Sequence, residues 1–184
     1  MNNYKIVFMG TPDFGIPSLN ELYKQGYEVE AVYTQPDRVN KRGNKVQFSA
    51  VKQFALEHDI TIYQPNYLKD EKELDVLRAL NPDLIIVIAY GKILPQAVLD
   101  IPKYGVINVH ASLLPKYRGA APVQRSIIDG EETTGVTIMQ LDAGMDTGNI
   151  IAEKSVFITP HMTSEDLFDV LSNVGAKLLI DVLD

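Results

Sequence analysis

The 184-residue chain contains no cysteine. That excludes a disulfide, a thiolate zinc site and a cysteine nucleophile, and it fits a reducing cytoplasm. Histidine is scarce as well: His58, His110 and His161 lie far apart and form no ligand motif, so no metal is expected. Long apolar runs are missing. The longest, Leu84-Ile-Ile-Val-Ile-Ala89, is strand-sized, well short of the roughly 18–20 residues that a membrane helix needs. Residues 1–10 have neither the apolar length nor the small-residue cleavage site of a secretory signal. Positive charge is in deficit, since 17 Lys and Arg against 24 Asp and Glu give a net charge of −7. For the molecule as a whole this speaks against a nucleic-acid partner. What remains, 46% hydrophobic and 22% charged residues, is the composition of a globular protein, and the length suits a single domain.

The charge is unevenly spread. Between positions 38 and 55 there is no Asp or Glu, while Arg38, Lys41, Arg42, Lys45 and Lys52 all fall there. Pro36, Asn40, Gly43 and Asn44, with no apolar periodicity before Val46, make residues 35–44 read as a loop. A basic loop on an acidic body is either a solvated surface feature or a place where an anionic partner is held.

Short β-branched or apolar runs at 5–9, 28–33, 83–89, 105–110, 135–141 and 150–158, each bounded by Gly, Pro, Asn or Asp, are expected strands. Helix-length segments at 17–24, 49–58, 71–80, 122–128 and 164–183 lie between or after them. In the third, Leu74, Leu77 and Leu80 mark one buried face. Thr163 or Ser164 can cap the last helix. Repeated βα units with continuously apolar strands imply an α/β, doubly wound and mostly parallel sheet covered by helices on both faces. In such sheets ligands bind beyond the carboxyl ends of the strands.

Gly10-Thr-Pro-Asp-Phe-Gly15 has the glycine spacing of a phosphate loop. However, Ile16 and Pro17 stand where Lys and Ser or Thr are needed, and G-x-G-x-x-G is absent as well. A strand-to-helix turn, with Gly10 giving backbone freedom, is the better reading. Asn108 and His110 are two apart in Gly105-Val-Ile-Asn-Val-His110, so they share a face at a strand end. Polar side chains among Val106, Ile107 and Val109 are costly to bury without partners or work, although a capped turn and a satisfied core histidine would also account for them. The following 111–119 segment is unusually apolar at Leu113-Leu114 and could present backbone groups around an apolar ring. In Leu141-Asp-Ala-Gly-Met-Asp-Thr-Gly148, two glycines and two aspartates mark a constrained loop, expected at the same sheet edge as His110. Asp146 is the candidate acid to orient that imidazole, with Asp142 as the spare; either could instead form a turn.

Gly10-Thr-Pro-Asp-Phe14, Thr34-Gln-Pro-Asp-Arg38, Asn108-Val-His110, Ser112-Leu-Leu-Pro115, Arg118-Gly-Ala-Ala-Pro-Val-Gln124 and Asp142-Ala-Gly-Met-Asp-Thr-Gly148 together resemble the methionyl-tRNA formyltransferases, a branch of the 10-formyltetrahydrofolate-dependent formyltransferase family. The resemblance implies a Rossmann-like catalytic domain. It places Asn108, His110 and Asp146 on the family's catalytic trio, and Ser112, Leu113, Leu114 and Pro115 on its folate-binding stretch, with a cis peptide before the proline. It places Arg38, Lys41, Arg42 and Lys45 on a loop that reaches the tRNA acceptor end, although Val39-Asn40-Lys41 departs from the family's usual Pro-Ala-Gly there.

The activity implied is formyl transfer from 10-formyltetrahydrofolate to the amino group of methionyl initiator tRNA, for translation initiation, by a monomer without a metal. A further C-terminal β-barrel domain of basic character is also implied, so residues 1–184 are expected to be the catalytic domain of a longer enzyme and to use tRNA weakly alone. Two alternatives share these residues: a formyltransferase acting on an amino sugar nucleotide or other small amine, and a folate-binding module without turnover.

Overall fold

A computed structural model describes residues 3–184. Its strands are β1 (Lys5–Gly10), β2 (Glu28–Tyr33), β3 (Arg38–Val39), β4 (Val46–Gln47), β5 (Thr61–Tyr63), β6 (Leu84–Ile88), β7 (Val106–His110), β8 (Thr133–Gln140) and β9 (Ile150–Phe157). The helices are α1 (Ile16–Lys24), α2 (Ala50–Glu57), α3 (Glu71–Leu80), α4 (Gln96–Leu99), α5 (Pro122–Ile128) and α6 (Ser164–Leu183). Seven strands form one sheet in the order β5-β2-β1-β6-β7-β8-β9. Pairing is parallel from β5 through β7 and antiparallel from β7 to β8 and from β8 to β9. The expected α/β, doubly wound, mostly parallel architecture is therefore present.

The period of two along each strand sorts the core into two layers. Ile6 and Phe8 of β1, Leu84, Ile86 and Ile88 of β6, and Ile107 and Val109 of β7 pack with α1, α2, α5 and α6. The residues between them, Val7, Met9, Ile85, Val87 and Val106, pack with Leu74 and Leu77 of α3 and Val98 and Leu99 of α4. All five residues of β6 and of β7 are buried, as strands covered on both faces must be. Helix starts follow capping chemistry: Ser49 Oγ accepts from Lys52 N–H at α2, Asp70 from Lys72 N–H at α3, and Thr163 with Asp166 closes a reciprocal box at α6.

Three expectations need correction. The basic segment is not simply a loop: β3 and β4 pair as a small antiparallel hairpin, too short to leave a periodic signal. The edge strand β5 and the four-residue α4 were not anticipated for the same reason. Gly10 ends β1, and it is required by close approach rather than by a turn, because a Cβ there would lie 2.8 Å from the Ile88 carbonyl oxygen.

Candidate active site

A cavity lies over the end of β7, bordered by Leu99 of α4 and by loops. The segments 89–94, 119–124 and 141–146 border this cavity of about 720 Å³, which wraps around the strand ends to Pro12, Phe14 and Phe168. That size lies within the range of small-molecule sites, roughly 300–1,000 Å³.

Asn108 and His110 continue the alternation set by Val106 and open into this cavity, with only 8% and 7% of their surfaces exposed. His110 Nε2 lies 2.8 Å from the Tyr117 carbonyl oxygen. Only a protonated nitrogen can donate to a carbonyl, so Nε2 carries a hydrogen and Nδ1 is left facing the site. Asp146 Oδ2 stands 3.8 Å from Nδ1 and accepts a 2.7 Å hydrogen bond from the Gly119 N–H. Asp142 does not fill this role. Its Oδ1 accepts from Thr147 Oγ1 at 2.8 Å and Gly144 N–H at 2.9 Å, an Asx turn. These two bonds, the hydroxyl first, hold the Asp142 carboxyl below its usual range.

The route by which Asp146 arrives differs from the expected one. Because β8 runs antiparallel to β7, its end at Gln140 is paired with Ile107, while His110 is paired with Thr137. Three residues of strand, about 10 Å, separate that end from His110. The 141–149 loop therefore does not start at the same edge but folds back over the sheet to reach it.

Ser112, Leu113, Leu114 and Pro115 are not among the residues that border the cavity. They anchor the loop that follows β7. Thr137 Oγ1 donates to the Ser112 carbonyl at 2.7 Å and accepts from the Leu114 N–H at 3.1 Å, and Ser112 Oγ donates to the Lys116 carbonyl. Leu113 lies over Gly135, where a Cβ would come within 2.6 Å of its Cδ2. The Leu114–Pro115 peptide is cis, as the resemblance implies.

The family model for formyl transferases matches residues 4–183. The chain belongs to the formyl transferase family. A methionyl-tRNA formyltransferase of Clostridium perfringens (strain 13) is 56% identical over 177 residues, covering 96% of this chain and 57% of that protein. One from Legionella pneumophila (strain Paris) is 50% identical over 184 residues, covering 100% and 59%. The chain thus spans less than two thirds of the length of these relatives. Among solved structures, a phosphoribosylglycinamide formyltransferase from Bacillus halodurans superposes with a TM-score of 0.80 at 24% identity, covering 97% of this chain and 93% of that one. A formyltetrahydrofolate deformylase from Pseudomonas syringae gives 0.78 at 20%, covering 99% and 60%. These likenesses show the fold.

Within this formyl transferase domain, Arg38, Lys41, Arg42 and Lys45 belong to the exposed β3–β4 hairpin and its turn. Lys52 does not join them as a free charge. It is 2.7 Å from Asp37 Oδ2, 3.0 Å from Gln64 Oε1 and 3.9 Å from the centre of the Phe48 ring. It pins the hairpin stem to the body, and its ammonium, with the Gln64 amide, holds the Asp37 carboxyl below its usual range.

Sequence reasoning missed Tyr90-Gly91-Lys92-Ile93-Leu94, which form one wall of the cavity. They directly follow the most apolar strand, and that position was the available signal. Lys92 Nζ donates to the carbonyls of Pro65 and Asn66, tying this wall to the segment after β5. Burial lowers its basicity, and burial likewise pushes the Tyr90 hydroxyl up to about 12. Among the described residues no helix is long and apolar enough to cross a membrane, and no cluster of three or more His, Asp or Glu could hold a metal.

Proposed function

We propose that this chain is the catalytic domain of a methionyl-tRNA formyltransferase, transferring a formyl group from 10-formyltetrahydrofolate to the amino group of methionine on initiator tRNA. The observation that carries this reading is the convergence of Asn108, His110 and Asp146 on one cavity, with Nδ1 of the histidine turned towards the aspartate. The relatives that share about half of its residues bear that name.

The cavity suits two partners. Val87, Ile93, Leu94, Leu99 and Leu141 offer an apolar slot on the α4 side for the flat ring system of the donor, and Pro12, Phe14, Val123 and Phe168 offer a second apolar end for the acceptor's side chain. The donor supplies an activated formyl carbon. As the amine nitrogen bonds to that carbon, negative charge grows on the formyl oxygen, where the Asn108 amide can donate, and so can His110 Nδ1 when it carries a proton beside Asp146. The Asp146 carboxylate keeps the imidazole turned to the site and, directly or through water, takes the proton that the attacking nitrogen sheds. The bond from the formyl carbon to N10 then breaks and N10 regains a proton, so no covalent enzyme intermediate is needed. Arg38, Lys41, Arg42 and Lys45 would meet phosphates of the tRNA acceptor end.

The deciding experiment offers the protein 10-formyltetrahydrofolate with initiator methionyl-tRNA, and separately with amino sugar nucleotides, and follows formyl transfer. Formylation of the tRNA and not of the sugar nucleotide is expected, at the low rate of a catalytic domain acting by itself. Formylation of the sugar nucleotide alone, or donor binding without transfer to either, would replace this reading.

A further inference from the structure

We infer that Tyr117 is a positioning residue for His110, holding the imidazole through its own backbone carbonyl while its hydroxyl is tethered to the turn after α5. This rests on the role proposed for His110. The Tyr117 carbonyl is the acceptor that keeps a hydrogen on Nε2 and orients the ring, at 2.8 Å. Tyr117 presents that carbonyl from a left-handed backbone conformation, φ 56°, which costs a non-glycine residue about 1–2 kcal/mol and persists only where the surroundings offset that cost.

The far end of the side chain is held as well. Tyr117 Oη lies 2.8 Å from Asp129 Oδ2 and 3.0 Å from Glu131 Oε1. A phenol has one hydrogen to give. Asp129 Oδ2 is the nearer acceptor, while Glu131 Oε1 also accepts from Lys116 Nζ at 2.8 Å and can still take a second hydrogen bond. Two residues further on, the Gly119 N–H holds Asp146. One short stretch of loop therefore grips both members of the His110–Asp146 pair, and residues 116 and 117 tether it by side chain to the turn after α5. Loosening the tether would let the carbonyl leave Nε2 and let the ring turn, with Nδ1 no longer aimed at the reacting oxygen. Misplacement of about 1 Å in such a site costs up to about a hundredfold in rate.

The test is Tyr117→Phe, which keeps the ring and removes only the hydroxyl, with Asp129→Ala and Asp129→Asn as companions. Three readouts are taken: kcat and KM for formyl transfer, Tm, and the ring nitrogen and Nε2–H signals of His110 by NMR without substrates. The expected result is a kcat lowered roughly ten- to a hundredfold, with KM for both substrates and Tm little changed and the His110 ring signals altered. Asp129→Ala should behave alike, and Asp129→Asn, which keeps an acceptor, should lose less. Unaltered His110 signals with wild-type kcat in Tyr117→Phe would overturn the inference, as would a kcat loss that merely follows Tm. Should Tyr117→Phe fail to fold, the Asp129 pair decides by the same readouts. His110→Ala, assayed beside them, separates the two claims: a full rate there removes the proposed catalytic role, whereas loss of rate there with an unaffected Tyr117→Phe removes only the tether.

Discussion

Thr137 shows how much a single hydroxyl can organise. It faces His110 across the β7–β8 pair and satisfies one buried carbonyl and one buried N–H of the loop that follows β7. Thr137→Val keeps the shape and orphans both groups, so it should destabilise the protein by about 1–3 kcal/mol in denaturant unfolding. It should also lower formyl transfer, since residues 117 and 119 hold His110 and Asp146. Asn108 and His110 were readable from their spacing because a strand's period of two forces them onto one face. Tyr117 was not, because its contribution is a carbonyl in a left-handed turn, which no residue pattern announces. Leu113 stood out for its apolar character and Ser112 by resemblance; the hydrogen bonds of Ser112 and the packing of Leu113 on Gly135, which hold the loop, are tertiary contacts that no residue pattern announces. Lys52 looked free because its partner, Asp37, lies just before the acid-free stretch.

Among the elements, β6 and α3 were evident from sequence because five consecutive apolar residues and leucines spaced by three leave little choice. Strands of two or three residues such as β3, β4 and β5 carry no period at all, and the direction of β8, which decides where the Asp146 loop begins, is a tertiary outcome. Helix α6 is fastened at its start by the Thr163–Asp166 box and along its length by Leu167, Leu171, Leu179 and Leu183. Thr163→Ala should cost about 0.5–2 kcal/mol in thermal or denaturant unfolding. The hairpin stem has a pH signature. The Asp37 carboxyl is depressed by Lys52 and then by Gln64, so its contribution is complete above the ordinary aspartate value of about 3.9. It is lost as pH falls through the lower folded-state value. Cleavage of residues 38–48 by an acid-active protease should rise steeply in that acid window, and Asp37→Asn should be cut readily at every pH tested.

At the scale of the whole molecule, a net charge of −7 conceals four cations displayed on one hairpin whose fifth neighbour, Lys52, is spent on holding it in place. If those cations meet tRNA phosphates, Lys41→Ala with Arg42→Ala should raise KM for methionyl-tRNA and reduce the slope of log affinity against log salt by about two. The donor KM should stay unchanged. Acidity elsewhere would then serve to keep the rest of the domain off the nucleic acid. The sheet brings β7, the 111–121 loop and the returning 141–149 loop to one cavity, and the account stands or falls on what the trio does there. The most direct measurement is the single-turnover rate of formyl transfer at saturating donor for the wild type, Asn108→Ala and His110→Ala, with Tm recorded for each. The account predicts folded variants slowed by about 10²–10³; either variant transferring formyl at the wild-type rate would contradict it.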